Sequence, residues 1–211
     1  MDYNIYIVFS ATPYRIGRMI RHVTKESYNH VSISLDERLT QMYAFARRCY
    51  YTPLHGGFVH EYPSRYTLNG QSAEICLCKL PISQAQFKVL KAEIAQMYEN
   101  KEQYLYNHLS ALTAIAHKRV AVKDAYTCVE FCVQILHKLA FDISPNQFYT
   151  VGDLKKILAP YIIYTGQIPQ AEEKNNAFFA QQPIFLSIIN TLRDMARLIP
   201  RWLENKKAGK I

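Results

Sequence analysis

Residues 125–136 read AYTCVEFCVQIL and predict the helix on which the rest of the fold depends. Thr127 and Glu130 have the spacing of a capping box, in which each side chain binds the backbone N–H of the other residue. The helix is therefore expected to begin at Cys128. An apolar stripe at helical spacing follows and is expected to pack against another layer; it comprises Cys128, Phe131, Cys132, Ile135, Leu136 and Leu139.

The position of Cys128 in the first helical turn gives this residue two alternative roles. The first backbone N–H groups of a helix lack partners and lie at the positive end of its dipole, so they favour a thiolate or an oxyanion. Cys128 is then a candidate nucleophile. The same residue also belongs to the apolar stripe, so a packing role stays open. Cys132, one turn later, is interpreted as packing alone.

A nucleophilic cysteine needs a base, and His30 is the histidine best placed to supply one. It opens the stretch HVSISL, which predicts a strand with one apolar face and one small polar face. These faces are Val31, Ile33 and Leu35 on one side and His30, Ser32 and Ser34 on the other. We expect the cysteine helix to lie against the polar face, where His30 would meet its first turn. A histidine without a catalytic role is the alternative.

Further strands and helices are predicted on both sides of these two elements. Strand patterns cover 4–10, 41–47, 56–62, 73–80 and 161–168, and helical patterns cover 11–27, 81–103, 106–119 and 151–158. The sequence therefore predicts an α+β fold over residues 1–168, with an antiparallel sheet packed on the cysteine helix.

Composition narrows the classes of function. The formal net charge of +8 suits anionic partners, but the basic residues are scattered, so nucleic-acid binding is not favoured. Five cysteines without a CxxC pair argue against a disulfide framework and a zinc site, and we expect neither a metal nor a cofactor. Residues 1–17 do not resemble a signal peptide, and free thiols fit a cytoplasmic protein.

The C-terminal residues differ from the rest of the chain. Residues 169–183 predict a linker, and residues 184–211 a basic amphipathic segment that bends or ends near Pro200. Its apolar stripe comprises Phe185, Ile188, Ile189, Leu192, Met195, Ile199, Trp202 and Leu203. Three interpretations stay open: a helix docked on the domain, a homodimer contact, and a peripheral membrane contact through residues 184–204.

The order of the two motifs resembles a known family. KESYNHVSISLD, followed much later by YTCVEFCVQIL, is similar to the circularly permuted papain-like superfamily, which includes YiiX-like proteins and relatives of the NlpC-type peptidases. Permuted members carry the histidine before the cysteine. MYAFARR is similar to an element that follows the histidine in such proteins and in PPPDE-type isopeptidases. The resemblance covers about residues 3–140.

This resemblance implies a cysteine hydrolase that cleaves an amide, isopeptide or thioester bond through an acyl-enzyme. It implies Cys128 as nucleophile and His30 as general base. Relatives place the group that orients the histidine on the next strand, where Tyr43 is nearest to the expected place and Gln41 is the alternative. The substrate would be a peptide, an amino-acid derivative or an acyl compound.

Two further residues are candidates for substrate binding, and two other functions stay open. Tyr126 precedes the helix and would line the cleft, or else pack on the sheet. Arg47 ends a strand and would bind a carboxylate, or else be solvated. The first alternative function is a membrane-associated lipid or acyl hydrolase or acyltransferase, as in the lecithin:retinol acyltransferase relatives of this fold. The second is a non-catalytic scaffold that binds a peptide or a lipid.

Overall fold

The computed structural model describes residues 3–169 and 176–207. Its strands are β1 (Tyr3–Ser10), β2 (His30–Ser34), β3 (Met42–Cys49), β4 (Thr52–Glu61), β5 (Thr67–Leu68), β6 (Gln71–Ser72), β7 (Glu74–Ile82), β8 (Leu105–Tyr106), β9 (Ala125–Tyr126) and β10 (Ile162–Gln167). Its helices are α1 (Arg15–Thr24), α2 (Gln84–Glu99), α3 (His108–Thr113), α4 (Cys128–Lys138), α5 (Val151–Ile157), α6 (Asn176–Phe179) and α7 (Ile184–Lys207).

Six strands form one antiparallel sheet with the spatial order β10-β7-β1-β2-β3-β4. The predicted α+β fold with a large antiparallel sheet is therefore confirmed. Strand β1 lies inside the sheet and contributes to both of its faces, since successive side chains alternate. Ile5, Ile7 and Phe9 enter one core, whereas Tyr6 and Val8 enter the other.

The larger core lies between the sheet and helices α2 and α4. The apolar side chains of α4 pack there with Val31 and Ile33 of β2, and Cys132 is fully buried among them. We expected α4 on the small polar face of β2, and this prediction is wrong. The apolar stripe of α4 packs on the apolar face of β2, because the side chains of the polar face would be left without hydrogen-bond partners against an apolar helix.

The predicted linker contains a docked helix. Residues 170–175 of this segment lie outside the described part of the chain, but α6 follows them and Phe178 is buried. The Tyr50 N–H donates to the Phe178 carbonyl at 2.8 Å, and the Arg65 guanidinium lies 3.8 Å from the centre of the Phe178 ring. The linker prediction therefore needs correction here, because Phe178 attaches α6 to the β3–β4 hairpin.

Helix α7 packs along the edge strand β4 with a face that the sequence did not indicate. Its buried residues are Asp194 and Leu198, and Asp194 Oδ2 lies 2.7 Å from Nδ1 of His55 on β4. The helix continues through Pro200 and does not end there, which excludes one of the two predicted outcomes at this residue. Most of the predicted apolar stripe is exposed, including Phe185, Ile188, Ile189, Leu192, Ile199 and Leu203.

Within residues 3–169 and 176–207, no helix combines the length and the apolar composition that a bilayer-spanning segment needs.

Strand β8 approaches β4 so closely at Gly56 that a side chain has no room. A Cβ atom there would lie 2.8 Å from Cβ of Tyr106 and 3.0 Å from the carbonyl oxygen of Ala46. We expect Gly56→Ala to lower the free energy of unfolding by about 1–3 kcal/mol, as overpacking does. Urea denaturation would measure this loss. The matched control is Gly166→Ala, whose new Cβ would lie nearest to the end of the exposed Tyr164 side chain, which can move away. Equal losses in both variants would contradict the prediction.

Candidate active site

The first turn of α4 holds Cys128 in the expected position. The Glu130 N–H donates to Thr127 Oγ1 at 3.1 Å, and the Thr127 N–H donates to Glu130 Oε2 at 2.7 Å. This capping box, predicted from the sequence, starts the helix at Cys128. It leaves the N–H groups of Cys128 and Val129 without a partner inside the helix, so both can stabilise negative charge on a bound group.

The carboxylate of Glu130 is held by the segment that contains β8 and α3. It accepts from Ser110 Oγ at 2.8 Å and from Asn107 Nδ2 at 3.2 Å, and it pairs with Arg119. Glu130 is therefore fully engaged in fixing the helix start.

His30 is the first residue of β2 and pairs with a residue that the sequence did not single out. Its Nε2 atom is 3.0 Å from Glu61 Oε2, and both side chains are almost completely buried. Glu61 is the last residue of β4, two strands away from β2 in the sheet. Because Nε2 donates to Glu61, Nδ1 is the ring nitrogen left to interact with Cys128.

Glu61 is itself fixed by several hydrogen bonds. Its Oε2 atom accepts from Tyr66 Oη at 2.5 Å and from Ser32 Oγ at 2.6 Å. The Arg65 guanidinium lies 3.7 Å from Oε1. A carboxylate held in this way can orient the His30 ring and stabilise its positive charge, which is the role of the third member of a catalytic triad.

The charges at this site support one another. Burial by itself lowers the pKa of His30, but the Glu61 charge and interactions with Cys128 and Glu61 outweigh it and raise this pKa to about 10. Burial by itself raises the pKa of Glu61, but His30, Arg65 and the hydrogen bonds hold it well below its usual range. His30 is therefore an imidazolium at neutral pH and can stabilise a thiolate on Cys128.

The two residues proposed to orient His30 lie elsewhere, so this prediction is wrong for both. The Tyr43 ring stacks on Phe58 and His60 in the larger core. Gln41 is exposed in the turn before β3, where its N–H donates to Asp36. The sequence argument considered only the strand next to β2, whereas the carboxylate comes from the strand beyond it. A carboxylate within the aromatic stretch GGFVHEY was the available signal.

Only one of the two predicted substrate-binding residues reaches the site. Tyr126 packs on Phe45, with ring centres 5.1 Å apart, and lines neither cavity beside Cys128. Its ring is part of the core, which corrects the prediction. Arg47 does lie in a cavity with His30 and Cys128, where its guanidinium is 4.9 Å from the centre of the Tyr14 ring.

Cys128 lies at the junction of two cavities. The first, called the histidine cavity here, measures about 240 Å³ and is lined by residues that include Tyr14, His30, Arg47, Glu61 and His108. The second, called the aliphatic cavity, measures about 540 Å³ and is lined by residues that include Met19, Ile20, Val23, Leu112, Val133 and Phe148. Both are lined by Cys128 and Tyr106, so a ligand in either cavity would meet Cys128, which is otherwise buried.

Cys132 occupies a different environment although it lies only one turn along α4. It is fully buried, and burial raises the pKa of its thiol well above the ordinary value. This agrees with its interpretation as a packing residue. No group of three or more His, Cys, Asp or Glu side chains within residues 3–169 and 176–207 is arranged to hold a metal ion.

Comparisons with protein-family models, curated proteins and solved structures find no match for this chain.

Proposed function

We propose that the protein is a cysteine hydrolase that cleaves an amide, isopeptide or thioester bond through an acyl-enzyme. The observation that supports it best is the buried arrangement of Glu61, His30 and Cys128 at the start of α4. A nucleophile at a helix N-terminus, an imidazolium beside it and a carboxylate behind the imidazole are the parts that acyl transfer needs.

The proposed reaction follows from these positions. The Cys128 thiolate attacks the carbonyl carbon, and the new oxyanion accepts from the N–H groups of Cys128 and Val129. As the bond to the leaving group breaks, the His30 imidazolium donates its proton to that group. Neutral His30 then takes a proton from water, the hydroxide attacks the acyl carbon, and the C–S bond breaks. The acid is released and Cys128 is again a thiolate.

The fold of this proposed hydrolase is the permuted papain-like fold. It is supported by the chain order, in which the histidine strand precedes the cysteine helix, and by the packing of α4 on an antiparallel sheet. The orienting group differs from the one that the resemblance implied, because Glu61 lies on β4 and not on β3.

Acylation of Cys128 is the direct test of this function. Mixing the protein with an activated acyl ester, such as p-nitrophenyl acetate, is expected to release one equivalent of nitrophenol in a burst. Intact mass spectrometry should find the acetyl group on the peptide that contains Cys128. The Cys128→Ala variant should show neither the burst nor the added mass. Modification of another residue at an equal rate would contradict the proposal.

A second proposal, contact with a membrane surface, is supported by the outward face of α7. This helix packs on β4 with its Asp194 face and leaves large apolar side chains exposed along its first half. These are Ile184, Phe185, Ile188, Ile189 and Leu192. Because apolar patches of this kind mark interaction sites and the net charge is +8, an anionic lipid surface is a suitable partner. An acyl or lipid substrate would fit such a location.

Vesicle flotation would test this membrane contact. The wild-type protein is expected to float with vesicles of phosphatidylcholine and phosphatidylserine at low salt, and Ile188→Asp and Ile189→Asp together should abolish flotation. The control is Ile163→Asp, which changes an exposed isoleucine on β10. Absence of flotation at low salt would refute the membrane contact. Dimers in sedimentation that the double variant separates would indicate that a second copy of the chain covers this face instead.

A further inference from the structure

We infer that the aliphatic cavity binds the hydrocarbon chain of an acyl group, so that the substrate is a long-chain acyl ester or thioester. This inference rests on the proposed function, because it assigns the two sides of the scissile bond to the two cavities that meet at Cys128. It adds the ester to the thioester already proposed for this site and specifies the acyl group.

The position of His30 decides which part of the substrate enters which cavity. The leaving group must receive a proton from the imidazolium, so it has to lie within hydrogen-bond reach of the ring. His30 lines the histidine cavity and does not line the aliphatic one. The acyl part must then extend from the carbonyl carbon away from His30. The space that Cys128 offers in that direction is the aliphatic cavity.

The aliphatic cavity has the size and the surface that a hydrocarbon chain needs. An apolar cavity of about 150 Å³ is enough for a benzene-sized group, and this one measures about 540 Å³. Met19 and Val23 of α1 and Leu112 of α3 lie on its lining with more than half of their surface exposed. A bound chain would remove this apolar surface from water, which favours binding in proportion to the area covered.

The two carboxylates of the aliphatic cavity are already engaged by the protein. Glu26 accepts from the backbone N–H of Gly152 at 2.9 Å. Glu130 is held by the capping box and pairs with Arg119. These carboxylates therefore do not need a polar ligand as partner, and an aliphatic chain leaves none of their hydrogen bonds broken. The Arg119 guanidinium also lines this cavity, where its Nε atom lies 3.5 Å from Glu130 and makes no hydrogen bond among the described residues.

The histidine cavity contains two polar groups that could bind the leaving group. The Tyr14 hydroxyl is buried and has no hydrogen-bond partner among the described residues, and Arg47 lies against the same ring. Both groups can donate to an oxygen atom of a ligand. A polar leaving group, such as an alcohol or a thiol that carries an anionic substituent, suits this cavity better than a second hydrocarbon chain.

Two measurements on the full chain test the inference, and the same variants are compared in both. The first is hydrolysis of p-nitrophenyl acetate, octanoate and dodecanoate, compared through kcat/KM. The second is binding of dansyl-undecanoic acid to the Cys128→Ala variant, followed by fluorescence. Met19→Asp with Leu112→Asp places charge in the cavity at two exposed positions, where substitutions cost little stability. Val89→Asp is the matched control, since Val89 is equally exposed on α2 and lines neither cavity.

We expect kcat/KM for the dodecanoate to exceed that for the acetate by about tenfold or more, as hydrophobic pockets discriminate. The double variant should lower this ratio by about tenfold and weaken binding of the fluorescent acid, whereas Val89→Asp should change neither. Failure of the Cys128→Ala protein to bind the acid would overturn the inference. Hydrolysis of the acetate without any preference for longer chains would also overturn it while the hydrolase proposal stands. Binding of the acid that the double variant weakens, with no ester hydrolysed, would support the acyl cavity and refute the hydrolase.

Discussion

Replacing Glu61 by glutamine is expected to lower kcat/KM by about 10²- to 10⁴-fold, the range seen when the carboxylate behind a catalytic histidine loses its charge. Glutamine has nearly the same shape, but it cannot balance the imidazolium, so the pKa of His30 should fall from about 10. The thiolate of Cys128 then loses its neighbouring positive charge. Steady-state hydrolysis of an activated ester, measured from pH 5 to pH 9, would record both changes.

A stability measurement must accompany this experiment, because Glu61 is buried. Breaking a buried ion pair from one side costs about 3–5 kcal/mol, so the variant should be assayed at a temperature at which circular dichroism shows it folded. Tyr43→Phe is the control, since its ring stacks on Phe58 and His60, and its kcat/KM should stay within about threefold of the wild type. A large loss in Tyr43→Phe with little change in Glu61→Gln would restore Tyr43 as the orienting residue.

Replacing His30 by alanine is expected to slow alkylation of Cys128 by iodoacetamide by about 10²-fold at pH 6. In the wild type the imidazolium is present throughout the neutral range, because the pKa of His30 is about 10, and it can stabilise negative charge on Cys128 as this residue reacts. Without it, Cys128 should react as an ordinary thiol, which is largely protonated below pH of about 8.5. Mass spectrometry of the peptide that contains residues 125–136 would give the rate at each pH.

Cys132 provides an internal control on the same peptide. Its thiol is fully buried with a raised pKa, so it should stay unmodified in the wild type and in His30→Ala. Alkylation of Cys132 at a rate similar to that of Cys128 would indicate local unfolding of α4. If Cys128 reacts with the same pH dependence in both proteins, His30 does not act on the thiol, and the non-catalytic scaffold becomes the better interpretation.

Local patterns in the sequence were sufficient for the secondary structure around the site. The capping box at Thr127 and Glu130 depends on residues three positions apart, so the start of α4 could be recognised without any tertiary contact. The alternation in HVSISL likewise identified β2 and placed His30 at its end. The α+β class followed from the order of such elements.

Only the tertiary structure decided the partner of His30 and the environment of α7. Glu61 on β4 contacts His30 on β2 although β3 lies between these strands in the sheet. Its burial is favourable only because Ser32, Arg65 and Tyr66 all contact its carboxylate. Arg65 and Tyr66 are near Glu61 in the sequence, but His30 and Ser32 lie on β2, so the stretch GGFVHEY could mark Glu61 as a candidate and could not show that it is buried beside His30. The sequence identified the apolar stripe of α7, but it could not show whether this stripe faces the domain or the outside. The Asp194–His55 pair and Leu198 turn the helix so that much of that stripe faces outward.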